Sequence, residues 1–306
     1  MKNYYLIGDI GGTKTELALV SDGLVFGKTE RFKSQDYDSL EVIIKEFLGN
    51  EKIERACFGV AGPVNKGICH TTNLPWIVDA NKIGRDLEIK EVFVLNDLLA
   101  GTYAIPTLSD YDLYTINKGE VDEKGNKVVI SPGTGLGQAL LIYDRSKFIS
   151  VASEGGHADF APRNKREVDL FFYLKKQFSH VSYERVLSGP GLSNIYSFLT
   201  NGDKKNPEEV AAKLNRESRE AVTWFCEMLG AESGNLALKG YGTGGVFLGG
   251  GIPPKILDSL KEEDFLRGFL DKGRFSEFLK KIPVKVILDS KKTLRGVAIF
   301  CENQKK

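Results

Sequence analysis

The chain begins with a glycine-rich turn between two apolar runs, and this pattern most strongly limits how it can fold. Residues 4–7 form a short apolar run, and residues 17–20 form a second one with near-alternating apolar side chains. Gly8, Gly11 and Gly12 lie between the two runs. Short apolar runs that are separated by glycines are typical of two β-strands joined by a tight turn. The segment therefore predicts a β-hairpin at the start of an α/β sheet.

The composition of this turn favours a phosphate ligand. Glycine lets the backbone approach a ligand closely, and successive free N–H groups form a concave anion site. The Thr13 hydroxyl can donate to a phosphate oxygen, whereas the Asp9 carboxylate would repel phosphate unless a cation such as Mg²⁺ lay between them. A P-loop is disfavoured because Thr13 replaces the glycine expected before Lys14 and a strand follows. A plain hairpin without a ligand remains an alternative.

Two further glycine turns follow apolar runs later in the chain. Residues 128–142 again predict strand, turn and strand, with Thr134 and Gly135 in the turn. Residues 244–251 place a buried strand before Gly249 and Gly250, where a flat group such as adenine could approach closely. The glycine spacing at residues 133–137 differs from the dinucleotide-binding fingerprint. For residues 249–251, a tight strand-to-helix turn is the alternative. The repeated hairpin suggests a duplicated scaffold that holds a nucleotide between its halves.

Asn96 and Asp97 follow the buried strand predicted at residues 91–95 and precede a predicted helix. Ligands of α/β proteins bind at this end of a strand. One of the two residues could instead cap the helix. A cap requires a single side chain, so the pair also favours a functional role.

A second group of polar residues lies in the later half of the chain. Glu154, His157 and Asp159 occupy a loop bounded by glycines and a proline. One histidine with two carboxylates is a poor set for a transition metal, whereas such groups suit the hydroxyls of a sugar. The loop could equally satisfy its own backbone groups. Glu184, taken alone, is predicted to be a solvated carboxylate in the first turn of a helix.

Length and composition indicate a two-domain globular protein. The 306 residues are 42% hydrophobic and 27% charged, and the net charge is +1. This balance gives no reason to expect a nucleic-acid or membrane partner. The four cysteines are scattered and form no zinc motif, which fits a reducing compartment. The sequence opens on a predicted strand rather than a signal peptide, so we expect a cytoplasmic protein.

With these motifs, the sequence resembles the bacterial glucokinases of the hexokinase–actin–Hsp70 ATPase superfamily. The resemblance extends over nearly the whole chain, and its markers are residues 8–13, 72–76, 95–97, 133–137, 154–162, 184–191 and 245–251. It implies an α/β, two-domain ribonuclease H-like actin/hexokinase ATPase fold with a cleft between domains, each built on a five-stranded mixed sheet. The first domain would comprise residues 1–107 joined by a C-terminal helix at about 293–306, and the second residues 108–292.

The resemblance also implies an activity and a set of site residues. The family transfers a phosphoryl group from ATP to the 6-hydroxyl of glucose with Mg²⁺, and Asp97 would be the catalytic base. Sugar hydroxyls would be bound by Asn73, Asn96, Asp97, Glu154, His157 and Glu184. The nucleotide would be bound by Gly8, Asp9, Ile10, Gly11, Gly12, Thr13, Thr134, Gly135, Gly249 and Gly250. Asp9 would serve the Mg²⁺ ion through water, and a homodimer is plausible on the same resemblance.

Other functions remain open at this point. The chain could be a kinase for another hexose or an amino sugar, with the choice set around Asn73 and Glu184. It could be a sugar-responsive regulator that binds without turnover, although Asp9 and Asp97 are intact and no DNA-binding segment is evident. An Hsp70- or actin-like ATPase module is a third alternative, but it gives no reason to keep Glu154, His157 and Glu184 together.

Overall fold

The computed structural model describes residues 4–71, 73–289 and 291–304. Thr72 of the predicted 72–76 motif, residues 1–3 of the predicted first domain and residues 305–306 of the predicted C-terminal helix lie outside the described residues. Within them the strands are β1 (Tyr4–Ile10), β2 (Lys14–Ser21), β3 (Val25–Lys33), β4 (Arg55–Val60), β5 (Val64–Asn65), β6 (Ile68–His70), β7 (Ile77–Asp79), β8 (Glu91–Asn96), β9 (Leu113–Asn117), β10 (Lys127–Pro132), β11 (Leu136–Tyr143), β12 (Phe148–Ser153), β13 (Gly245–Leu248) and β14 (Val284–Ile287).

The α-helices of the same residues are α1 (Leu40–Leu48), α2 (Ala80–Asp86), α3 (Asp97–Thr102), α4 (Lys165–Lys175), α5 (Gly189–Leu199), α6 (Pro207–Ala211), α7 (Arg216–Gly240), α8 (Leu257–Leu260), α9 (Glu263–Leu270), α10 (Ser276–Lys280) and α11 (Lys292–Glu302). Short 3₁₀ turns lie at Ser34–Asp36, Ile105–Thr107, Asp110–Asp112, Gly155–His157, Tyr183–Arg185 and Gly273–Phe275. The chain divides into two compact units, Met1–Leu108 with Asp289–Lys306, and Ser109–Leu288.

The first unit is built on a five-stranded mixed sheet with the order β3-β2-β1-β4-β8. β1 pairs antiparallel with β2, as the glycine turn predicts, and parallel with β4. Successive side chains of a strand point to opposite faces. Leu6 and Ile10 accordingly join one apolar cluster, while Tyr5 and Ile7 join another. Both faces of this sheet are therefore covered.

Helices of opposite ends of the sequence cover these two faces. α1 buries one apolar stripe in the first cluster and ends at Gly49, whose φ of 56° stops the helix. α11 places Leu294 and Val297 in the second cluster, together with Ala100 of α3. The last helix of the chain therefore completes the core around its first strand.

The second unit is built on a six-stranded sheet with the order β12-β11-β10-β13-β14-β9. The implied five-stranded sheet is wrong for this unit, because β9 pairs antiparallel with β14 and extends the edge. The Asn117 side chain fixes this extra strand by donating to the backbone carbonyls of Lys280 and Ile282 at 3.0 and 2.7 Å. One large apolar core packs on this sheet around α7.

The two main sheets repeat one strand order. β3-β2-β1-β4-β8 and β12-β11-β10-β13-β14 agree in succession, and in both the first two pairings are antiparallel and the next two parallel. The duplication suggested by the two glycine hairpins is thus present. In each unit the glycine turn follows the carboxyl end of a parallel strand, the edge where α/β sheets bind ligands.

Candidate active site

The first glycine turn is tied to the 3₁₀ turn that begins at Ser34. The Gly11 N–H donates to the carbonyl of Lys14 at 2.9 Å, and the Ser34 N–H donates to the carbonyl of Thr13 at 3.1 Å. The Ser34 hydroxyl in turn donates to the Gly11 carbonyl at 2.8 Å. Among the described residues, no group accepts a hydrogen bond from the N–H of Gly12 or Thr13. The turn is thus braced, with two donors available to an anion.

Gly8 and Ile10, two residues predicted to bind the nucleotide, direct their Cβ positions into the core. The Ile10 side chain is 1% exposed. A Cβ at Gly8 would lie 2.8 Å from side-chain atoms of Leu17 and Phe58. Gly8 is therefore required by strand packing, and neither residue presents a side chain to a ligand.

Asp9 lies on the same sheet face as Tyr5 and Ile7, the face that α11 covers. Its carboxylate is half-buried and accepts no hydrogen bond from the described residues. Burial and then the Asp97 carboxylate raise the pKa of Asp9 to about 6, although Lys14 opposes this shift. A cation beside Asp9 would offset this repulsion and favour its ionised form.

Asn96 and Asp97 divide the roles at the start of α3. Asn96 is the N-cap: its Oδ1 accepts the Leu99 N–H at 3.1 Å, and its Nδ2 donates to the Gly62 carbonyl at 3.0 Å. Asp97 accepts the Leu98 N–H through Oδ1 at 2.8 Å. Burial raises the pKa of Asp97, against the opposing effects of these backbone N–H groups, Lys292 and Asn96. The helix cap accounts for Asn96, whereas Asp97 places a carboxylate at the same end of α3.

The predicted sugar residue Asn73 lies beside the first glycine turn. A Cβ at Gly12 would stand 2.6 Å from the Cβ of Asn73, so only glycine fits there. The surrounding loop is held by Thr71, whose hydroxyl contacts the carbonyls of Leu74 and Trp76 at 2.8 and 3.1 Å. Asn73 itself is exposed. The first unit therefore gathers the predicted residues from Asp9 to Thr13 with Asn73, Asn96 and Asp97.

Lys292 is a charged member of this group that the sequence analysis missed. It is the first residue of α11, and its Cγ lies 3.7 Å from the position of a Cβ at Gly101 in α3. Burial lowers the pKa of Lys292 to about 8, and the carboxylates of Asp97, Asp289 and Asp9 oppose this shift. No spacing links it to the first glycine turn, so only the packing of α11 reveals its position.

In the second unit, two predicted sugar-binding segments run side by side. Asp159 and Ser182 form an antiparallel bridge. The Phe160 N–H donates to the Val181 carbonyl, and the Tyr183 N–H donates to the Ala158 carbonyl, both at 3.0 Å. These bonds join residues 154–162 to residues 181–186.

This pairing brings Glu184 to His157 and to the second glycine turn. Oε1 of Glu184 lies 4.0 Å from Nδ1 of His157, and Oε2 accepts the Leu136 N–H at 2.9 Å. A Cβ at Gly135 would stand 2.5 Å from the same Oε2. Glu184 does lie in the first turn of a short helix, a 3₁₀ turn, but it is 24% exposed and contacts the glycine turn, so the prediction of a solvated carboxylate is wrong.

The remaining predicted sugar residues of this unit face solvent. Glu154 is exposed, and His157 is 59% exposed. The His157 N–H donates to the Glu154 carbonyl at 2.9 Å, which closes the 3₁₀ turn between them. Asp159 lies 3.5 Å from His180 rather than beside Glu184. Glu154 and His157 thus retain free polar atoms.

The third glycine turn lies against the second. The Gly249 N–H donates to the Ile130 carbonyl at 2.9 Å. Gly250 has a φ of 80°, and a Cβ there would overlap the carbonyl of Pro132. Thr134 is exposed and lies two residues after Pro132. The second unit therefore gathers Thr134, Gly135, Gly249 and Gly250, while Glu184 contacts the same turn.

The donor chemistry fits magnesium rather than a transition metal. The described residues contain no cluster of three or more His, Cys, Asp and Glu side chains that could hold a metal ion. Mg²⁺ keeps several waters and is held by one or two carboxylates with substrate phosphates. Asp9 beside Asp97 meets that requirement.

No helix among the described residues has the length and apolar character needed to cross a membrane.

Comparison with known proteins identifies the family. A family model described as Glucokinase matches residues 6–304. The chain belongs to the glucokinase family. It is 38% identical over 314 residues to a glucokinase of Yersinia enterocolitica, and the match covers 98% of this chain and 97% of that protein.

Solved structures agree with the family. The crystal structure of a glucokinase from an Antarctic psychrotroph matches with a TM-score of 0.91 and 31% identity, covering 99% of this chain and 100% of that one. A ROK family glucokinase from Streptomyces griseus, solved in complex with glucose and AMPPNP, shares the fold with a TM-score of 0.65 and 18% identity, covering 98% and 100%. The predicted actin/hexokinase-like fold and glucokinase family are confirmed, and the chain is a hexose kinase.

Proposed function

We propose that this glucokinase-family chain transfers the γ-phosphoryl group of ATP to the 6-hydroxyl of glucose, with Asp97 as the general base. The observation that carries the base assignment is that the Asp97 carboxylate lies at the start of α3, near that of Asp9, and accepts the Leu98 N–H through Oδ1. Its second oxygen can accept the proton of a hydroxyl within about 2.6–3.2 Å. Its half-buried position and raised pKa suit a proton acceptor.

Phosphoryl transfer depends mainly on positioning and on charge stabilisation. We propose that the free N–H groups of Gly12 and Thr13, the Thr134 hydroxyl and the turns at Gly135, Gly249 and Gly250 bind the nucleotide. Gly8, Ile10 and Gly11 support the first turn through packing and its internal hydrogen bond. Glucose and AMPPNP bound to the Streptomyces griseus protein support ATP as the donor.

We propose that Asp9 holds Mg²⁺ through water. The ion would supply positive charge to the phosphates of the bound nucleotide. The support is the Asp9 carboxylate, which accepts no hydrogen bond within the described residues and has a pKa raised to about 6 by burial and Asp97. A cation beside Asp9 would favour its ionised form.

The sugar would be bound by Asn73, Asn96, Glu154, His157 and Glu184 together with Asp97. Carboxylates accept hydrogen bonds, the amides donate and accept, and His157 can do either. Sites that hydrogen-bond each hydroxyl reject analogues that lack one. Asn96 would contribute through its side-chain amide, which also caps α3.

A cytoplasmic homodimer completes the proposal. All four cysteines are free and buried, which supports a reducing compartment. The dimer rests on the family resemblance, and light scattering on the purified protein tests it.

The decisive experiment compares Asp97→Asn with wild type in a coupled assay with MgATP. We expect kcat to fall by about 10²–10⁴-fold, the usual contribution of a general base. Glucose affinity, measured by calorimetry, stays within about threefold because the amide keeps an acceptor oxygen. Asp203→Asn in the exposed loop is the matched control. Undiminished turnover in Asp97→Asn would exclude the base assignment.

A sugar panel tests the substrate. Glucose, mannose, fructose, 2-deoxyglucose and N-acetylglucosamine are compared with and without Mg²⁺. Preference for glucose with a Mg²⁺ requirement supports the proposal. Turnover that favours another sugar would move the specificity to that sugar and leave Asp97 as the base.

A further inference from the structure

A buried carboxylate lies beneath the predicted sugar-binding segments of the second unit. Glu232 of α7 is 0% exposed. Its Oε1 accepts the Nε2–H of Gln138 at 2.9 Å, and its Oε2 accepts the Nδ2–H of Asn235 at 2.9 Å. Asn235 also donates to the hydroxyl of Tyr183 at 3.1 Å. The four side chains form one hydrogen-bonded network, the Glu232 network.

One side of the Glu232 network leads to the turn at residues 154–157. Gln138 follows the second glycine turn in β11, and a Cβ at Gly155 would overlap its Oε1. A Cβ at Gly156 would likewise overlap the carbonyl of Leu136, two residues before Gln138. The turn that carries Glu154 and His157 is therefore pressed directly onto this part of β11.

The other side leads to Glu184. Tyr183 precedes Glu184 in the same 3₁₀ turn and packs edge-on against Phe160 at a ring distance of 5.7 Å. Asn235 joins the Tyr183 hydroxyl to Glu232, and burial and then the Glu232 carboxylate raise the pKa of Tyr183. Glu232 is thus linked to both segments that carry predicted sugar ligands, through Gln138 and through Asn235, although it has no surface exposed to a ligand itself.

We propose that Glu232 is a positioning residue that fixes the 154–157 turn and the 183–185 turn relative to each other, and so sets the affinity of the enzyme for its sugar. A buried charge is costly unless every oxygen is hydrogen-bonded. Glu232 satisfies one oxygen with Gln138, which lies against Gly155, and the other with Asn235, which is bonded to Tyr183. Loss of one partner leaves the others unpaired, which changes their position. The inference rests on the proposed sugar-binding role of Glu154, His157 and Glu184.

The test compares Glu232→Gln with a reciprocal double variant. In Glu232→Gln the new amide places N–H groups against either Gln138 or Asn235, so one hydrogen bond is lost in either orientation. We expect the glucose KM to rise about tenfold while kcat and the MgATP KM change less than about threefold. In Glu232→Gln/Asn235→Asp, the new amide donates to the new carboxylate, which the Tyr183 hydroxyl can also reach. We expect the glucose KM to return to within about threefold of wild type.

Two further variants separate positioning from simple loss of stability. Leu229→Ala removes a fully buried side chain on the same helix outside the Glu232 network, so it lowers the melting temperature without raising the glucose KM. A Glu232→Gln enzyme that is destabilised like Leu229→Ala but keeps the wild-type glucose KM would overturn the proposal. If Glu232→Gln does not fold, Tyr183→Phe is the milder substitute, with an expected rise in KM of about threefold.

Glu184→Ala tells this proposal apart from the proposed function. A raised glucose KM in Glu184→Ala with wild-type KM in the Glu232 variants overturns the positioning role alone. An unchanged KM in Glu184→Ala overturns the sugar-binding assignment on which the role of Glu232 depends.

Discussion

A Cβ at position 135 would stand 2.5 Å from Oε2 of Glu184, the oxygen that accepts the Leu136 N–H. Gly135 and Glu184 therefore occupy neighbouring positions that tolerate no additional atom. In Gly135→Ala the glutamate must move and lose this charge-assisted hydrogen bond. We expect the glucose KM to rise about tenfold in steady-state assays.

The control for this prediction is Gly27→Ala. Gly27 lies in the exposed strand β3, and a Cβ there would make only ordinary contacts at 3.4 Å. Its kinetic constants should match wild type. A normal glucose KM in Gly135→Ala would show that the contact with Glu184 is irrelevant to the sugar.

Asp9→Asn should stabilise the free protein at neutral pH. The pKa of Asp9 rises from 3.8 to about 6 on folding, because of burial and Asp97. The resulting stability is present below pH 4 and is lost as the pH rises through 6, since ionisation in the folded state is unfavourable. Removing the charge should raise the free energy of unfolding at pH 7.5 by about 1–3 kcal/mol, while activity is lost.

The measurement is urea unfolding of both proteins with EDTA and without nucleotide at pH 5, 6 and 7.5. The advantage of Asp9→Asn should grow with pH. Asp203→Asn, in an exposed loop, should show no such trend. If Asp9→Asn were more stable than wild type by the same free energy at every pH, ionised Asp9 would not destabilise the folded protein.

Lys292→Met should shift the pH profile of catalysis. Lys292 favours the ionised form of Asp97, so its removal raises the pKa of Asp97. A base must be ionised to act, and kcat/KM should therefore fall more at pH 6 than at pH 8. Lys292→Arg keeps the charge and should restore most of the loss at pH 6.

The neighbouring exposed Lys291 provides the matched control. Lys291→Met also removes a positive charge at the start of α11, but the charge that it removes is not the one beside Asp9 and Asp97. Its profile should overlay that of wild type. An equal fall of kcat/KM at both pH values in Lys292→Met would point to a folding defect instead.

Two glycines at the contact of α3 and α11 should respond oppositely to alanine. A Cβ at Gly296 would overlap the carbonyl of Ala100, whereas one at Gly101 would have its nearest neighbours at 3.7–3.9 Å. Gly296→Ala should lower stability by about 1–3 kcal/mol through overpacking. Gly101→Ala should be neutral or raise it by up to about 1 kcal/mol, because alanine favours the helix. Thermal unfolding of the two variants tests this prediction. Similar melting temperatures would contradict the tighter packing at Gly296 than at Gly101.

The glycine turns, the duplicated hairpins and the position of Asp97 could be predicted from the sequence because each is local. Apolar runs around glycines define the strands, and an Asx pair after a buried strand defines the edge of the sheet. The sixth strand of the second sheet could not be predicted in the same way. β9 lies far in sequence from β14, and its pairing depends on tertiary contacts of Asn117.

The contacts of Glu184, Lys292 and Glu232 also could not be predicted from the sequence, because they too depend on tertiary packing. Glu184 lies in a short polar segment whose sequence predicts a solvated side chain, and its contact with the Leu136 N–H is visible only in the structure. Lys292 and Asp97 are separated by 195 residues (292 − 97) and meet only because α11 packs on the first sheet. Glu232 is one polar residue in the long helix α7, where periodicity predicts core packing.

The return of α11 also has a consequence for synthesis on the ribosome. The second unit is continuous in sequence, from Ser109 to Leu288, so all of its strands are available before translation ends. The first unit lacks the cover of the sheet face that carries Asp9 until α11 has been synthesised. A nascent chain can therefore complete its later half before its earlier half, and a truncated product that ends before α11 would expose an apolar face and lack Lys292. Synthesis of α11 is therefore needed before Lys292 can reach the carboxylates of the site.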